Sequence, residues 1–411
     1  MADLLIRNIG KLYTPTRAPF TNKDKETTRI ISNAFVAVKN GLIEALGEGD
    51  GAFWLEQNTK IFDAKGMIMT PGFIDSHTHL VHAGSRENEY AMKLSGMTYL
   101  EILQKGGGIL STVKATRNAT FDELYDKAKK SLDIMLSYGV TSIEAKSGYG
   151  LDIDTELKQL EVAKILNENH PVEITSTFLG AHAYPAEYKG KEKEYLEIVK
   201  KTMDYVKEKD MAEYIDVFIE KGVFGIEASE DVIKHAKALG LKVRLHADEM
   251  NSFGAVPLGI KYDAASLDHL MMISDKDIDL LASSDTVATL LPMTSFYLNE
   301  GYAPARKLLD KGAIVAVAGD YNPGSSPSEN YLLALQLAAG KLKMTPEEIL
   351  ASATVNPAYS LNKGNLVGRI EKGMQADLVL LDAPNFSYVL YHFGINHVKH
   401  VFKKGKLVYN D

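Results

Sequence analysis

The sequence predicts an α/β protein: a closed (β/α)8 barrel of the TIM type over residues 67–362, joined to a small β-sandwich domain built from residues 1–66 and 363–411. Three observations carry this reading. From Ile68 onward, eight short apolar runs alternate with helical or loop segments over about 290 residues, the rhythm of repeated β/α units. Both chain ends carry strand-and-turn texture with no helical period, and neither alone offers enough strands for a stable sheet domain. Polar and titratable residues collect just after the apolar runs, where a barrel keeps its active site. An open doubly wound sheet is the alternative for the central part.

The composition is that of a globular chain, with 45% hydrophobic and 24% charged residues, and at 411 residues it is too long for one ordinary core. A net charge of -8 leaves no strongly basic face, which argues against a nucleic-acid partner. With no cysteine, disulfides and thiolate chemistry are excluded, and histidine and carboxylate remain as metal ligands. The opening MADLLIRNIG lacks a signal-peptide pattern, and no stretch nears the roughly 20 apolar residues of a membrane span. A cytoplasmic protein without a membrane partner is expected.

In chain order, residues 3–9, 34–47 and 60–69 read as short strands, with Lys39-Asn40-Gly41 as a hairpin turn. The polar stretch from Thr14 to Thr28 reads as a surface loop. A helical segment beginning at Thr98 to Leu103 meets Gly106-Gly107-Gly108, which has no strand ahead of it and reads as a hinge or turn. Thr120 to Tyr138 is helical, with Thr120 and Glu123 forming a capping box. Val140–Ala145, Val172–Leu179, Tyr214–Ile219, Lys242–His246, Ala264–Asp268, Thr286–Leu290 and Ala313–Ala318 read as strands. Helices 155–167, 192–207 and 228–239 fall between the earlier ones. From about Leu366 the strand texture returns, and Lys404-Gly405 turns a hairpin.

The stretch Pro71 to Leu80 organises the rest. Phe73 and Ile74 run into Asp75, and on a strand His77 and His79 would point to one face, making half a metal site. A catalytic metal site takes about three protein ligands and keeps one position for water. His246 after Lys242–Leu245 and Asp320 after Ala313–Ala318 supply the third and fourth ligands, while His269 closes another strand. Several strand ends all bearing His, Glu or Asp is a stronger signal than any lone histidine.

The stretches FIDSHTH, KSGYG (Lys146 to Gly150), FLGAH (Phe178 to His182), HADE (His246 to Glu249) and GDYNPGS (Gly319 to Ser325), with β segments at both termini, resemble the amidohydrolase superfamily of metal-dependent hydrolases. The resemblance covers nearly the whole chain. Within the superfamily it extends to members that open the ring of 4-imidazolone-5-propanoate in histidine degradation. Two-metal members use a bridging modified lysine on the fourth strand; here that strand is read as ending in Phe178–His182, without a lysine. A single ion is therefore implied, held by His77, His79, His246 and Asp320. Zinc is the first expectation, with iron as the alternative.

A bound cation would make hydroxide available near neutral pH for attack on a cyclic amide. Asp320 would take the water's proton, Glu249 would pass a proton to the leaving ring nitrogen, and His269 would polarise the carbonyl or orient the water. The resemblance carries substrate binding onto Arg86, Tyr149 and His182, with Tyr99 as a further candidate, and onto Glu249, Asn322, Gly324 and Ser325. Arg86 suits a propionate carboxylate. Gly148 and Gly150 around Tyr149 suggest a flexible loop closing on ligand. Two alternatives stay open: deamination of an aminated heterocycle, and a metal-storing or ligand-binding barrel without turnover. A homodimer also stays open.

Overall fold

A computed structural model describes residues 2–24, 27–97, 101 and 105–411. The first strands are β1 (Leu4–Pro15), β2 (Thr28–Lys39), β3 (Leu42–Glu48), β4 (Lys60–Asp63), β5 (Ile68–Pro71) and β6 (Phe73–Thr78). There follow β7 (Val140–Lys146), β8 (Glu173–Ala181), β9 (Tyr214–Ile219), β10 (Lys242–Ala247), β11 (Ser266–His269), β12 (Val287–Leu290) and β13 (Ile314–Val317). The chain closes with β14 (Leu378–Leu381), β15 (Val398–Lys403) and β16 (Lys406–Asn410).

Strands β6 to β13 form one parallel sheet in sequence order. The ring is closed by the chain just past β13: Thr78 bridges Tyr321, Asp320 N donates to His77 O at 3.0 Å, and His79 N donates to Tyr321 O at 2.8 Å. The last closing contacts therefore join the two segments that carry His77, His79 and Asp320. Helices Phe121–Ser137, Ile153–Asn169, Glu192–Glu208 and Ile226–Ala238 cross between successive strands, and their buried faces meet strand residues such as Ile143, Val217 and Val243 in one continuous core. Full burial of a residue such as Leu132 or Leu160 contributes about 1.5–3 kcal/mol. The helix from Phe121 opens on the expected capping box, in which Thr120 Oγ1 accepts from Glu123 N and Glu123 Oε2 accepts from Thr120 N.

Strands from both termini make a second, mixed sheet in the order β16-β15-β14-β5-β1-β2-β3, with β4 also paired to β1. It bends over its own core: Phe62 on β4 meets Phe402 on β15 edge to face at 5.1 Å, although those strands share no hydrogen bonds. Asn40 (φ 51) and Gly41 (φ 79) make the hairpin turn with both residues left-handed. Lys403 ties this sheet to the barrel: its buried ammonium pairs with Asp377 at 2.7 Å and donates to Thr141 O on β7 at 3.0 Å.

Several expectations need correction. The polar stretch 14–28 is not all loop, because Thr14 pairs with Arg29 and Pro15 with Thr28, so β1 and β2 run farther than their polar composition suggests. Cross-strand pairing here overrides composition. The segment 60–69 breaks at Ala64-Lys65-Gly66 into β4 and the start of β5. The barrel does not begin at Ile68, since β5 pairs with β1 and β14, and the first barrel strand starts at Phe73. Gly72 makes the crossing possible, because a Cβ there would lie 2.2 Å from Thr141 Oγ1. The strand ending at His182 is the third of the barrel; the fourth, β9, runs into Glu220 and an exposed Lys221. The segment from Thr98 to Leu103, residue 101 apart, lies outside the described residues. Among the described residues no helix is long and apolar enough to cross a membrane.

Candidate metal centre and active site

Alternation along β6 and its continuation turns His77 and His79 to the same side, while His246 is the penultimate residue of β10 and His269 the last of β11. The imidazoles gather at one end of the barrel, with ring centroids 4.7 Å apart for His77 and His246, 5.5 Å for His77 and His79, and 5.1 Å for His246 and His269. Asp320 Oδ1 lies 3.4 Å from His77 Nε2 and 3.7 Å from His79 Nε2. Ligand atoms approach within 4.8 Å of one another in three sets: His77, His246 and His269; His79, His182 and His246; and His77, His79 and Asp320. All four sequence-predicted ligands are brought together, although no single one of these sets holds all four. His269 (φ 79), Asp320 (φ 53) and Asp248 (φ 49) are left-handed, so the strand ends are held in a conformation L residues rarely adopt.

The donor set fits a metal ion. Among the described residues, His77 Nε2 and both ring nitrogens of His269 are buried with no hydrogen-bond partner, an uncommon state for buried polar atoms. Burial, with the nearby Lys146, His246 and His269 charges, holds His77 well below its ordinary pKa, so its ring is neutral and a lone pair is available. Nitrogen and carboxylate donors together suit zinc or iron. The other ring nitrogens are oriented from behind: His77 Nδ1 donates to Asp268 Oδ2 at 2.7 Å, and His246 Nδ1 stands 2.9 Å from Asp216 Oδ2. Burial opposes charge on His246, but the Asp216 carboxylate outweighs it and raises its pKa. The sequence reading missed Asp216, Asp268 and Lys146. Their signal was a charged residue inside an otherwise apolar strand.

The acid and base candidates are buried carboxyls. Burial pushes Asp320 up to about 6, partly offset by Thr294, whose Oγ1 donates to Asp320 Oδ2 at 2.5 Å. Burial pushes Glu249 up to about 7, against the pull of His246. Glu249 Oε1 lies 3.7 Å from His269 Nδ1. Its turn is fixed by Glu220, which accepts from Met250 N at 2.9 Å and Asn251 N at 3.1 Å.

A cavity of about 610 Å³ opens above the cluster. His79, His246, His269 and Asp320 line it, together with Arg86, Tyr149, His182, Glu249, Asn322, Gly324 and Ser325. His77 lies beneath its floor, fully buried. Arg86 Nε donates to Thr112 Oγ1 at 2.9 Å, and Gly324 leaves room for the guanidinium, since a Cβ there would be 2.5 Å from Arg86 Nη1. His182 Nδ1 is 2.9 Å from Gly148 O, and burial lowers this ring to about 3, so it is neutral. The Asn322 side chain holds its own turn together: Oδ1 accepts from Gly324 N and Ser325 N, while Nδ2 donates to Asp320 O.

The loop around Tyr149 differs from expectation. Glu156 accepts from Gly148 N, Gly150 N and Leu151 N, and Gln159 from Tyr149 N, so the two glycines sit in a pinned turn and not in a flexible lid. Gly148 (φ 105) is needed for the backbone path, and a Cβ at Gly150 would strike Glu156 N at 2.7 Å. Tyr99 lies outside the described residues. Phe218, Leu298, Glu300 and Lys93 also line the cavity, with nothing in the sequence pattern to mark them.

A sequence model of the amidohydrolase family matches residues 68–408. The imidazolonepropionase of Bacillus cytotoxicus is 50% identical, the alignment covering 100% of this chain and 97% of that protein. The imidazolonepropionase of Bacillus cereus matches to the same extent. Among solved structures, E. coli guanine deaminase superposes with a TM-score of 0.76 at 18% identity, covering 99% of both chains. The 5-methylcytosine deaminase of Klebsiella pneumoniae gives 0.74 at 17% identity, covering 99% of this chain and 98% of that one. Likeness at that identity speaks for the fold alone. With the family pattern across the barrel and half its residues shared end to end with those two curated enzymes, the chain belongs to the amidohydrolase family, on its imidazolonepropionase branch.

Proposed function

We propose that the protein hydrolyses the ring C–N bond of 4-imidazolone-5-propanoate, giving N-formimidoyl-L-glutamate in histidine degradation. The observation that carries the proposal is one cavity floored by a cluster of inward-facing imidazoles, with two carboxyls whose pKa burial raises and an arginine at its wall. His77, His79, His246 and Asp320 would hold a single ion, zinc by preference, with iron suited to the same donors. When bound, such an ion lowers the pKa of a water from about 15.7 toward about 7 and polarises a carbonyl.

The remaining work belongs to side chains. Arg86 pairs with the propionate carboxylate and sets the register of the ring. Tyr149 and His182 line the same cavity, and the 322–325 turn presents Gly324 and the Ser325 hydroxyl to the ring. His269 directs an N–H at the carbonyl oxygen as negative charge grows there. Asp320 accepts the proton of the attacking water, and Glu249 delivers a proton to the ring nitrogen as the C–N bond breaks. Tyr99 is kept as a substrate contact on the resemblance alone.

The test is turnover of 4-imidazolone-5-propanoate by protein stripped with chelator and refilled with zinc or iron, with ammonia measured in parallel. Ring opening without ammonia is expected. Ammonia release from an aminated heterocycle with no ring opening would transfer the case to a deaminase. Bound metal without any turnover would support the storage reading. We also propose the division of the chain into a barrel and a two-segment β domain, with the boundary expected at residue 67 moved to Gly72 because β5 pairs within the terminal sheet, and the second boundary kept at 362/363; a cytoplasmic location consistent with the absence of cysteine; and a homodimer as the assembly to test by scattering.

A further inference from the structure

Beneath the histidine cluster lies a layer of charge that the hydrolytic scheme does not use. Strand β7 contributes Glu144 and Lys146, β9 Asp216, β10 Arg244 and β11 Asp268, and all five side chains are 0% exposed. Lys146 Nζ stands 2.8 Å from Glu144 Oε1, 2.7 Å from Asp216 Oδ2 and 3.6 Å from Asp268 Oδ2. Those two aspartate oxygens are the same atoms that face the imidazoles, Asp216 Oδ2 at 2.9 Å from His246 Nδ1 and Asp268 Oδ2 at 2.7 Å from His77 Nδ1. Arg244 is the other cation of the layer, but it reaches Asp268 only at 3.8 Å and Glu144 at 3.6 Å, while its Nη2 donates to Ser76 O at 2.8 Å. One ammonium thus contacts Asp216 directly and lies within ion-pair range of Asp268, the two carboxylates that orient imidazoles arriving from opposite parts of the chain.

We infer that Lys146 is a positioning residue for the metal centre: its ammonium fixes Asp216 and Asp268, and through them aims His246 Nε2 and His77 Nε2 at the ion. This rests on the metal-dependent reading of the site. The physical reason is that a buried carboxylate deprived of its nearest cation is costly and turns toward other partners. It then stops holding an imidazole N–H in one orientation, and the ring loses its aim. Partners of this kind behind a histidine ligand typically change metal affinity 10- to 100-fold when removed. Lys146 acts on two ligands together, so its loss should reach the upper part of that range.

The test reads metal binding and not turnover. Lys146→Met in the full chain is expected to bind zinc about 10- to 100-fold more weakly in competition with a chelating dye. Its cobalt-substituted form should show an altered visible spectrum, a change that loss of a merely structural cation would not produce. Lys146→Arg, which keeps the charge, is expected to recover most of the affinity and the parent spectrum. If Lys146→Met does not fold, the pair Lys146→Met with Glu144→Gln, which removes one cation and one facing anion, replaces it with the same expectation. A folded variant lacking the ammonium that binds zinc within about threefold of the parent, with an unchanged cobalt spectrum, overturns the inference; so does a Lys146→Arg variant as weak as Lys146→Met. Parent protein that binds no metal would instead defeat the metal-dependent reading itself, so the two failures are distinguishable.

Discussion

Among the described residues Arg86 is anchored by one hydrogen bond, from Nε to Thr112, which leaves its Nη groups for a carboxylate in the cavity. Arg86→Met should raise KM for the propionate substrate by the equivalent of about 1.5–3 kcal/mol with a smaller change in kcat, measured by steady-state kinetics. Little change in KM would remove the arginine from substrate recognition. At Glu249 the sign of the pH dependence follows from the role proposed. A carboxyl raised to about 7 is protonated below that pH, so a proton donor is lost as pH rises through it. Asp320, raised to about 6, must be ionised to accept a proton, so its contribution falls as pH drops below about 6. The kcat/KM profile should therefore be a bell with limbs near these two values. Glu249→Gln should lower kcat by about 10²–10⁴ and abolish the alkaline limb. A Gln variant that keeps that limb would show that another group titrates there. These residues were legible because their chemistry is visible in a string: His-x-His, HADE and GDYNPGS each place a donor after an apolar run.

The elements matter because two of the turns that carry functional side chains are each held by a buried carboxylate. Glu156 takes three N–H groups of the 148–151 turn, and Glu220 takes two from the turn carrying Glu249. Glu156→Gln replaces one acceptor oxygen with an amide donor facing N–H groups. It should cost about 1–3 kcal/mol in denaturant unfolding and raise KM, because Tyr149 and its neighbour His182 lose their fixed positions. Unchanged KM with lowered stability would make the turn structural only. The positions of β7 to β13 were read to within a few residues because apolar runs bounded by turns carry a local signal. The rigidity of the Tyr149 turn was not readable. Gly148 and Gly150 advertise freedom, and the carboxylate that removes it stands on the following helix, six to eight residues away, pointed back by the fold.

In the whole molecule, the terminal sheet and the barrel are stitched by Lys403, whose ammonium meets Asp377 at 2.7 Å and Glu173 at 3.3 Å. Lys403→Met would leave Asp377 buried without its cation and should cost about 3–5 kcal/mol in thermal or denaturant unfolding, with KM little changed. Glu173 gives this contact a pH signature. Burial raises its pKa, but Lys403 and Lys363 outweigh that and hold it at about 2. A carboxyl depressed on folding stabilises fully above its unfolded value and loses that contribution as pH falls toward 2. Acid unfolding of the parent should therefore steepen between about pH 4.5 and 2, and Lys403→Met should flatten that slope. An unchanged acid limb would show that the contact does not couple the two sheets.

By itself the sequence determined the α/β rhythm, the two-ended β texture and the identity of the donors, because hydrophobic period, turn chemistry and ligand type are local properties. The tertiary structure alone decided where the barrel begins, which strand is fourth, and that His77 and His246 are backed by Asp268 and Asp216 around one ammonium. Those facts depend on which strands lie side by side. Charged residues set in apolar strands can be stabilised only by partners that closure of the sheet brings within a few ångströms.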